Sequence, residues 1–160
     1  MKKSNFIHNL FLLSILGMFT FSACTNSTSA GEEEHEDAEG FYLRSSGSNI
    51  VTQNPDEDLT GGITVQAGTE TAAIEIFFID HDGEAFQPED DEDTLGYVFI
   101  TDGIANPGSA EFEQHEEDGK WEFHIHGETA GMVYLRLMLM HDDHSDFDSQ
   151  LIPITVTEAP

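Results

Sequence analysis

Two histidines three residues apart, His141 and His144, follow a strand-like stretch of the sequence and lie among carboxylates, in the segment LRLMLMHDDHSDF. Imidazole nitrogens and carboxylate oxygens are ligands of Zn(II) and Cu(II), and a segment that leaves a rigid strand can gather them around one ion. The pattern therefore predicts a transition-metal site in which His141 and His144 bind the ion directly and Asp146 is a candidate third ligand. The alternative is a polar loop whose aspartates only cap turns.

His124 and His126 form a second candidate pair, in the stretch KWEFHIHG. Side chains two residues apart on a strand share a face of the sheet, so the two imidazoles can chelate one ion. We treat them as a second or alternative pair of metal ligands. The competing interpretation is that both histidines face outward and have only a structural role.

Met138, Met140 and His141 form the pattern M-x-M-H. Thioether and imidazole are the soft ligand set that favours Cu(I), so copper joins zinc as a candidate metal. Methionine also fills gaps under a neighbouring strand. Calcium is the less favoured ion, because the carboxylates of DHDG at positions 80–83 lack a complete ligand series, and this sequence suits a hairpin turn better.

The elements that must position these side chains are predicted to be strands. From position 41 onward, apolar and polar residues alternate in short blocks separated by Gly, Pro, Asn and Asp, and helical periodicity is absent. The blocks are 41–45, 62–66, 72–80, 95–101, 120–126, 132–140 and 152–158. This pattern predicts an all-β fold, a single antiparallel β-sandwich.

The two strands that carry most of the candidate ligands are predicted to pair as a hairpin. GETAG, at positions 127–131, is typical of a five-residue turn, and it would place Phe123 opposite Leu135. Extending the same register brings His115 close to His141, which makes His115 another candidate for the third metal ligand. The apolar residues of the two strands then form a core face: Trp121, Phe123, Ile125, Val133, Leu135 and Leu137.

The N-terminus has the pattern of an export signal. Lys2 and Lys3 precede an apolar run that is too short to span a bilayer, and FSAC follows. This tetrapeptide resembles a bacterial lipobox, and the resemblance implies that Cys24 carries the acyl chains and is the protein's attachment to the membrane. Cys24 is the single cysteine, so it forms no internal disulfide. We expect a signal peptide over 1–23, a disordered acidic tether over 24–40 and the sandwich over 41–160.

The sandwich region resembles the immunoglobulin-like domains of bacterial surface proteins. The resemblance rests on VQAGTET before a strand, on the W-x-F and G-x-V-Y-L strands and on the terminal IPITVTE. The tryptophan strand, the aliphatic strand and HDDHSDF before IPI are also similar to uncharacterised envelope lipoproteins. Together these resemblances imply a lipid-anchored location at the outer membrane or cell surface, and they imply no established activity.

The charge balance excludes some classes of partner. The chain has 32 acidic and 5 basic residues and a formal net charge of -27, so its field repels nucleic acid and concentrates cations. It has no G-x-S-x-G motif and no phosphate-binding loop, and an enzyme is not predicted. The sequence favours an acidic envelope lipoprotein that binds Zn or Cu at a His-rich strand end. The alternative is a structural or adhesive module for an unknown protein partner.

Overall fold

A computed structural model describes residues 37–115 and 118–160, and it contains strands, turns and loops. The predicted signal peptide, Cys24 and the tether up to position 36 lie outside the described residues. Within the described part of the chain, no helix is long and apolar enough to cross a bilayer. The strands are β1 (Gly40–Ser45), β2 (Ser48–Gln53), β3 (Thr60–Gly61), β4 (Ile63–Gln66), β5 (Ile74–Ile79), β6 (Ala85–Phe86), β7 (Asp93–Ile100), β8 (Ser109–Glu113), β9 (Glu122–Thr129), β10 (Gly131–His141), β11 (His144–Asp148) and β12 (Ile152–Thr157).

The strands form two sheets around one core, which confirms the predicted all-β sandwich. The seven-stranded sheet has the order β3-β2-β1-β5-β9-β8, with β6 also paired to β5. The five-stranded sheet has the order β11-β10-β12-β4, with β7 also paired to β10. The strand pairs are antiparallel apart from β12 and β4, which run parallel. The long β10 therefore organises its sheet, with β7 on one edge and β12 and then β11 on the other.

Each of the seven predicted blocks overlaps a strand, and the structure adds β2, β3, β6, β8 and β11. The added strands are two to six residues long. Several of them carry few apolar residues, as in SAEFE for β8 and HSDFD for β11. Alternation of apolar and polar residues is a weak signal in such short segments, because their place in the sheet depends on hydrogen bonds to longer neighbours.

The core lies between the two sheets and is made by the inward residues of the longer strands. Along β10 the buried residues are every second one, from Val133 to Leu139, and each is at most 4% exposed. Phe123 and Ile125 of β9 are fully buried on the facing sheet. Burying a side chain of this size contributes about 1.5–3 kcal/mol. The six residues predicted to form a core face are all buried.

The predicted hairpin between β9 and β10 is wrong. β9 pairs with β5 and β8, whereas β10 pairs with β7, β11 and β12, so the two strands belong to opposite sheets. The chain passes between the sheets at Ala130 and Gly131, and Gly131 has a φ of +145°. Period-two alternation shows which face of each strand is apolar, but it does not show which strand lies beside it. The inward faces of β9 and β10 therefore pack against each other across the core, and the two strands are not neighbours within one sheet.

The outer faces of these two strands lie on opposite sides of the sandwich. His124 lies on the outside of the seven-stranded sheet, and Tyr134 and Met138 lie on the outside of the five-stranded sheet. Glu122, at the start of β9, is paired with Glu75 of β5. The outward side chains of β9 and β10 therefore do not form one surface.

The described chain joins the sandwich slightly before position 41. Ala38 packs against the core, and the amide nitrogen of Glu39 donates to the carbonyl of Ile79 at 2.8 Å. Gly40, assigned to the tether from the sequence, is the first residue of β1 and is buried. The last residues of the predicted tether are thus part of the folded domain.

Candidate metal centre

His141 and His144 close the hairpin of β10 and β11. They are directly paired, and Asp142 and Asp143 form a two-residue turn between them. Asp142 has a φ of +52°, a conformation that short two-residue hairpin turns require and that aspartate tolerates better than most residues. The HDDH segment, predicted to be a loop leaving the strand, is therefore a tight turn that fixes both histidines side by side.

A third residue joins this row from the other edge of β10. Asp93, the first residue of β7, is directly paired with His141, so the side chains of Asp93, His141 and His144 share one face across three strands. It is the inward face, because Leu139 precedes His141 by two residues and is buried. Asp93 is only 6% exposed. The row therefore closes one end of the sandwich with polar side chains where the apolar core stops.

Carboxylate oxygens surround His141 on both sides of its ring. Its Nδ1 lies 3.1 Å from Oδ1 of Asp93, and its Nε2 lies 3.7 Å from Oε2 of Glu92. Nε2 of His144 lies 3.1 Å from Oδ1 of Asp146, and the two imidazole rings are 5.7 Å apart, edge to face. These residues and Asp142 form a group that we call the strand-end cluster: Glu92, Asp93, His141, Asp142, His144 and Asp146.

Two groups of three donor atoms in this cluster are close enough to share an ion. One donor atom each of Asp93, His141 and Asp146 lie within 4.8 Å of one another, and so do those of Glu92, His141 and Asp142. His141 belongs to both groups, whereas neither includes His144. The predicted ligands His141, His144 and Asp146 thus lie together at one strand end, with His141 at the centre and His144 bound to Asp146 beside it.

The environment of His141 favours its protonated form when no metal is bound. The hydrogen bond with Asp93 raises the pKa of His141 above its usual value; burial opposes this rise, and the negative charges of Asp93, Asp142 and Asp146 support it. A metal ion that binds His141 must therefore displace a proton that the neighbouring carboxylates stabilise. Metal affinity at this cluster is expected to fall as the pH is lowered through this raised pKa.

We predict that the stability of the metal-free protein reflects the same equilibrium. Because the folded-state pKa of His141 is raised, its contribution is fully present below the unfolded pKa of about 6.5 and is lost as the pH rises through the folded value. The free energy of unfolding would be measured with urea for the wild type and for His141→Gln. The difference between them should be larger at about pH 5.5 than at about pH 9. A difference that does not change with pH would contradict the role of Asp93.

His115 does not join the strand-end cluster, contrary to the prediction. Its Nε2 is 3.6 Å from Oε2 of Glu70, and its ring is 4.8 Å from the ring of His124. The error follows from the hairpin register: His115 comes directly after β8, which pairs with β9 in the seven-stranded sheet, whereas His141 ends β10 in the other sheet.

His124 and His126 share the outward face of β9, as the period of two predicted, but they contact different groups. Nδ1 of His126 lies 3.4 Å from Oε1 of Glu128 and 3.9 Å from Oε1 of Glu113. Nδ1 of His124 lies 3.0 Å from the carbonyl oxygen of Thr71. Among the described residues, no group of three donor atoms contains both histidines. The structure therefore gives no support to His124 and His126 as a chelating pair.

The M-x-M-H pattern does not form one set of ligands. Met138 and Met140 lie on the outer face of β10 and cover Gly96 of β7, where an added Cβ would lie 2.9 Å from Cγ of Met140. His141 lies on the inner face, so the thioethers and the imidazole are on opposite sides of the sheet. The methionines fill the space above a glycine, which was the alternative interpretation from the sequence.

The DHDG segment forms a hairpin turn between β5 and β6, as favoured from the sequence. Oδ1 of Asp80 accepts hydrogen bonds from the amide nitrogens of Asp82 at 2.9 Å and Glu84 at 2.8 Å. Gly83 adopts a φ of +81° within the turn. The carboxylate of Asp80 is thus used to order the backbone of the turn.

Sequence reasoning missed Asp93 and Glu92 as members of the strand-end cluster. Both lie in the acidic run PEDDED at positions 88–93, which the sequence analysis did not connect with His141. A usable signal was present: Asp93 is in phase with Leu95 two residues later, whose side chain packs against the core. A carboxylate in the inward phase at the start of a strand marks a polar end of the core.

No protein-family model and no curated protein matches the chain. Among solved structures, domains 4 and 5 of the S-layer protein SbsC match with a TM-score of 0.37 and 14% sequence identity. The match covers 68% of this chain and 53% of that one, so the chain spans about half the length of the S-layer structure.

Proposed function

We propose that this protein is a lipid-anchored cell-envelope protein that binds one divalent transition-metal ion, Zn(II) or Cu(II), at the strand-end cluster. The observation that carries the proposal is the position of His141, which is fixed at the end of β10 with a carboxylate against each ring nitrogen. The lipobox-like FSAC and the signal-peptide pattern support the anchored location.

The contact with Asp93 selects the nitrogen that binds the ion. A hydrogen bond from Nδ1–H of His141 to Asp93, at 3.1 Å, leaves the lone pair of the neutral ring on Nε2. Histidines that bind metals commonly donate their other ring N–H to a carboxylate in this way, which fixes the ring and makes it a better ligand. Nε2 then faces Oε2 of Glu92 at 3.7 Å, and Asp142 completes the three-donor group. Asp93 orients the ligand in this arrangement.

The affinity is set by how well these groups are already held in place. His141 has a side chain only 20% exposed, and it is fixed by strand pairing on both edges and by Asp93. Glu92 is held by fewer contacts, because its side chain is 62% exposed. We expect a Kd of about 1 μM or tighter, which corresponds to roughly -8 kcal/mol.

The test is calorimetric titration of the chelator-treated full chain, in mild detergent and at physiological salt, with Zn(II), Cu(II) and Ca(II) in separate experiments. His141→Ala should weaken Zn(II) or Cu(II) binding at this site by at least about 100-fold. His81→Ala is the matched control, because His81 is an exposed histidine that contacts only its neighbour Asp82 among the ion pairs of the described chain.

His144→Ala separates two assignments of the ligands. If His144 only orients Asp146, this variant retains the site; if it abolishes binding as His141→Ala does, His144 is a direct ligand as predicted from the sequence. Weak, salt-sensitive uptake that is the same in the wild type and His141→Ala would overturn the strand-end site. Such uptake is what an acidic surface alone produces.

A structural or adhesive role for an unknown protein partner is the second candidate function. The outer face of the five-stranded sheet carries apolar side chains in a strongly acidic protein, and Val98 and Met132 on it are 41% and 37% exposed. Arg136 lies on the same face, and its buried Nε has no hydrogen-bond partner within the part of the chain that the structure describes. In this case the histidines are incidental, and the titrations above would show no stoichiometric binding.

A further inference from the structure

A second group of histidines and carboxylates lies on the other side of the sandwich. β8 and β9 pair at the edge of the seven-stranded sheet, which brings His115, just after β8, beside His124 on the outer face of β9. Glu70 reaches the same place from the segment before β5, and Asp118 from the segment that leads into β9. We call Glu70, His115, Asp118 and His124 the β8–β9 cluster.

The ring of His124 is held in one orientation. Its Nδ1 lies 3.0 Å from the carbonyl oxygen of Thr71, and a carbonyl oxygen only accepts, so Nδ1 carries the proton and donates. In the neutral ring the lone pair is then on Nε2, which faces Oδ2 of Asp118 at 3.6 Å. Both side chains are largely buried, at 13% and 12% exposed. A nitrogen lone pair and a carboxylate repel each other at this distance unless a positive charge lies between them.

His115 brings a second imidazole nitrogen to the same point. Its Nε2 lies 3.6 Å from Oε2 of Glu70, and one donor atom each of Glu70, His115 and His124 lie within 4.8 Å of one another. Two ligands of a tetrahedral Zn(II) are separated by about 3.4 Å, given Zn–N distances of about 2.0–2.1 Å. The donor atoms can therefore share one ion once the side chains move together by up to about 1.4 Å.

A carboxylate of the same cluster contacts the backbone of His115. Oδ2 of Asp118 accepts a hydrogen bond from the backbone amide of His115 at 2.7 Å. This contact fixes the position of the His115 backbone relative to Asp118. A backbone that is already held in place loses less conformational entropy when an ion binds.

A proton is the competitor of a metal ion at Nε2 of His124. Burial lowers the pKa of His124, but the hydrogen bond to the Thr71 carbonyl and the charges of Asp118 and Glu70 outweigh it and raise the pKa above its usual value. Among the described residues, Glu113 is a further titratable group beside His115. The same negative field that stabilises the proton stabilises a divalent cation more strongly, because the cation carries twice the charge.

We propose that His115, His124 and Glu70 form a second divalent transition-metal site, with Asp118 or water as the fourth ligand. Two imidazoles and one carboxylate are a donor set that suits Zn(II), Co(II) and Ni(II), whereas Ca(II) requires six or more oxygen ligands. The site belongs to the opposite sheet from the strand-end cluster and shares no residue with it. Ion binding at this site is therefore independent of the proposed function.

The test isolates this site by removing the other one. The full chain carrying His141→Ala, in mild detergent and after chelator treatment, would be titrated calorimetrically with Zn(II) and followed by absorption spectroscopy with Co(II). We expect one Zn(II) per chain and the visible absorption of tetrahedral Co(II). Adding His115→Ala should weaken binding by at least about 100-fold and abolish this absorption.

His126→Ala is the matched control, because His126 lies two residues from His124 on the same face of β9 but belongs to a different group of donors, with Glu111 and Glu128. In the His141→Ala chain it should leave Zn(II) binding unchanged. Binding that survives His115→Ala, or that His126→Ala removes, would overturn the assignment. The absence of stoichiometric Zn(II) binding to the His141→Ala chain would also overturn it.

A second variant and a stability measurement guard against loss of fold. His115 has a side chain 38% exposed and Glu70 one 49% exposed, so neither His115→Ala nor Glu70→Gln removes core packing. Both variants should unfold at the wild-type urea concentration when metal-free, and both should lose Zn(II). The two proposals are distinguished by the single variants: His115→Ala in the otherwise wild-type chain should retain the strand-end ion and lose only this one.

Discussion

Phe123→Ala is expected to lower the free energy of unfolding by about 3–5 kcal/mol. Phe123 is fully buried in β9, its ring stacks on Phe112 at 4.6 Å, and its backbone pairs with Ile74 of β5. Removing the ring leaves a cavity at the point where β9 joins β5 to β8, and the sheet cannot close around it without breaking this pairing. Urea unfolding followed by the fluorescence of Trp121 measures the change.

Val98→Ala is the control for this substitution. Val98 is an aliphatic side chain on the outer face of β7 and is 41% exposed, so its truncation should change the free energy of unfolding by no more than about 0.5 kcal/mol. A loss below about 1 kcal/mol for Phe123→Ala would mean that the core rearranges to fill the space. It would contradict the role of β9 as the link between β5 and β8.

Gly131→Ala should destabilise the protein by about 2–5 kcal/mol, the sum of backbone strain and steric overlap. Gly131 has a φ of +145°, which side chains rarely adopt. A Cβ at this position would lie 2.5 Å from the backbone nitrogen of Gly108 and 2.8 Å from the carbonyl oxygen of Asn106. These neighbours are backbone atoms and cannot turn away. The residue is also where the chain passes from one sheet to the other, so strain here acts on β9 and β10 together.

Gly103→Ala separates the two contributions. Gly103 has a φ of +79° but open space around it, so an added Cβ meets no atom within 4 Å. The free energy of unfolding of this variant should fall only by the cost of the backbone conformation, about 1–2 kcal/mol. Equal losses of unfolding free energy in the two variants would show that the close backbone contact between Gly131 and Gly108 adds nothing to the cost of a side chain at Gly131.

The strands were predictable because their signal is local. In β10, for example, the residues Val133 to Leu139 alternate with polar or half-buried neighbours, and this alternation is visible in the sequence without any knowledge of the partner strands. The partners were not predictable in the same way. GETAG resembles a hairpin turn, yet most of it belongs to β9, and Ser109 of β8 pairs with Thr129 inside it. Contacts between segments distant in sequence decided the pairing.

The candidate metal site was likewise predictable where its residues are close in sequence and unpredictable where they are distant. His141, His144 and Asp146 are close in sequence and lie at one strand end, as predicted from their spacing. Asp93 is 48 positions from His141 and enters through the pairing of β7 with β10, which the sequence did not reveal. The β8–β9 cluster depends even more on the fold, because a segment before β5 and a segment after β8 supply its residues. Distant pairing, and not residue type, limited what could be predicted.

The position of β1 has a mechanical consequence. β1 lies in the interior of its sheet, and its residues are paired with β2 on one edge and β5 on the other. Tension applied to the chain ahead of Gly40 enters the fold through this strand and not through a sheet edge. The hydrogen bonds on both sides must then break before β1 can separate from its sheet. We therefore expect the domain to resist unfolding under force applied at its N-terminal end. In the lipid-anchored protein that we propose, this is the direction in which drag on a bound partner would act.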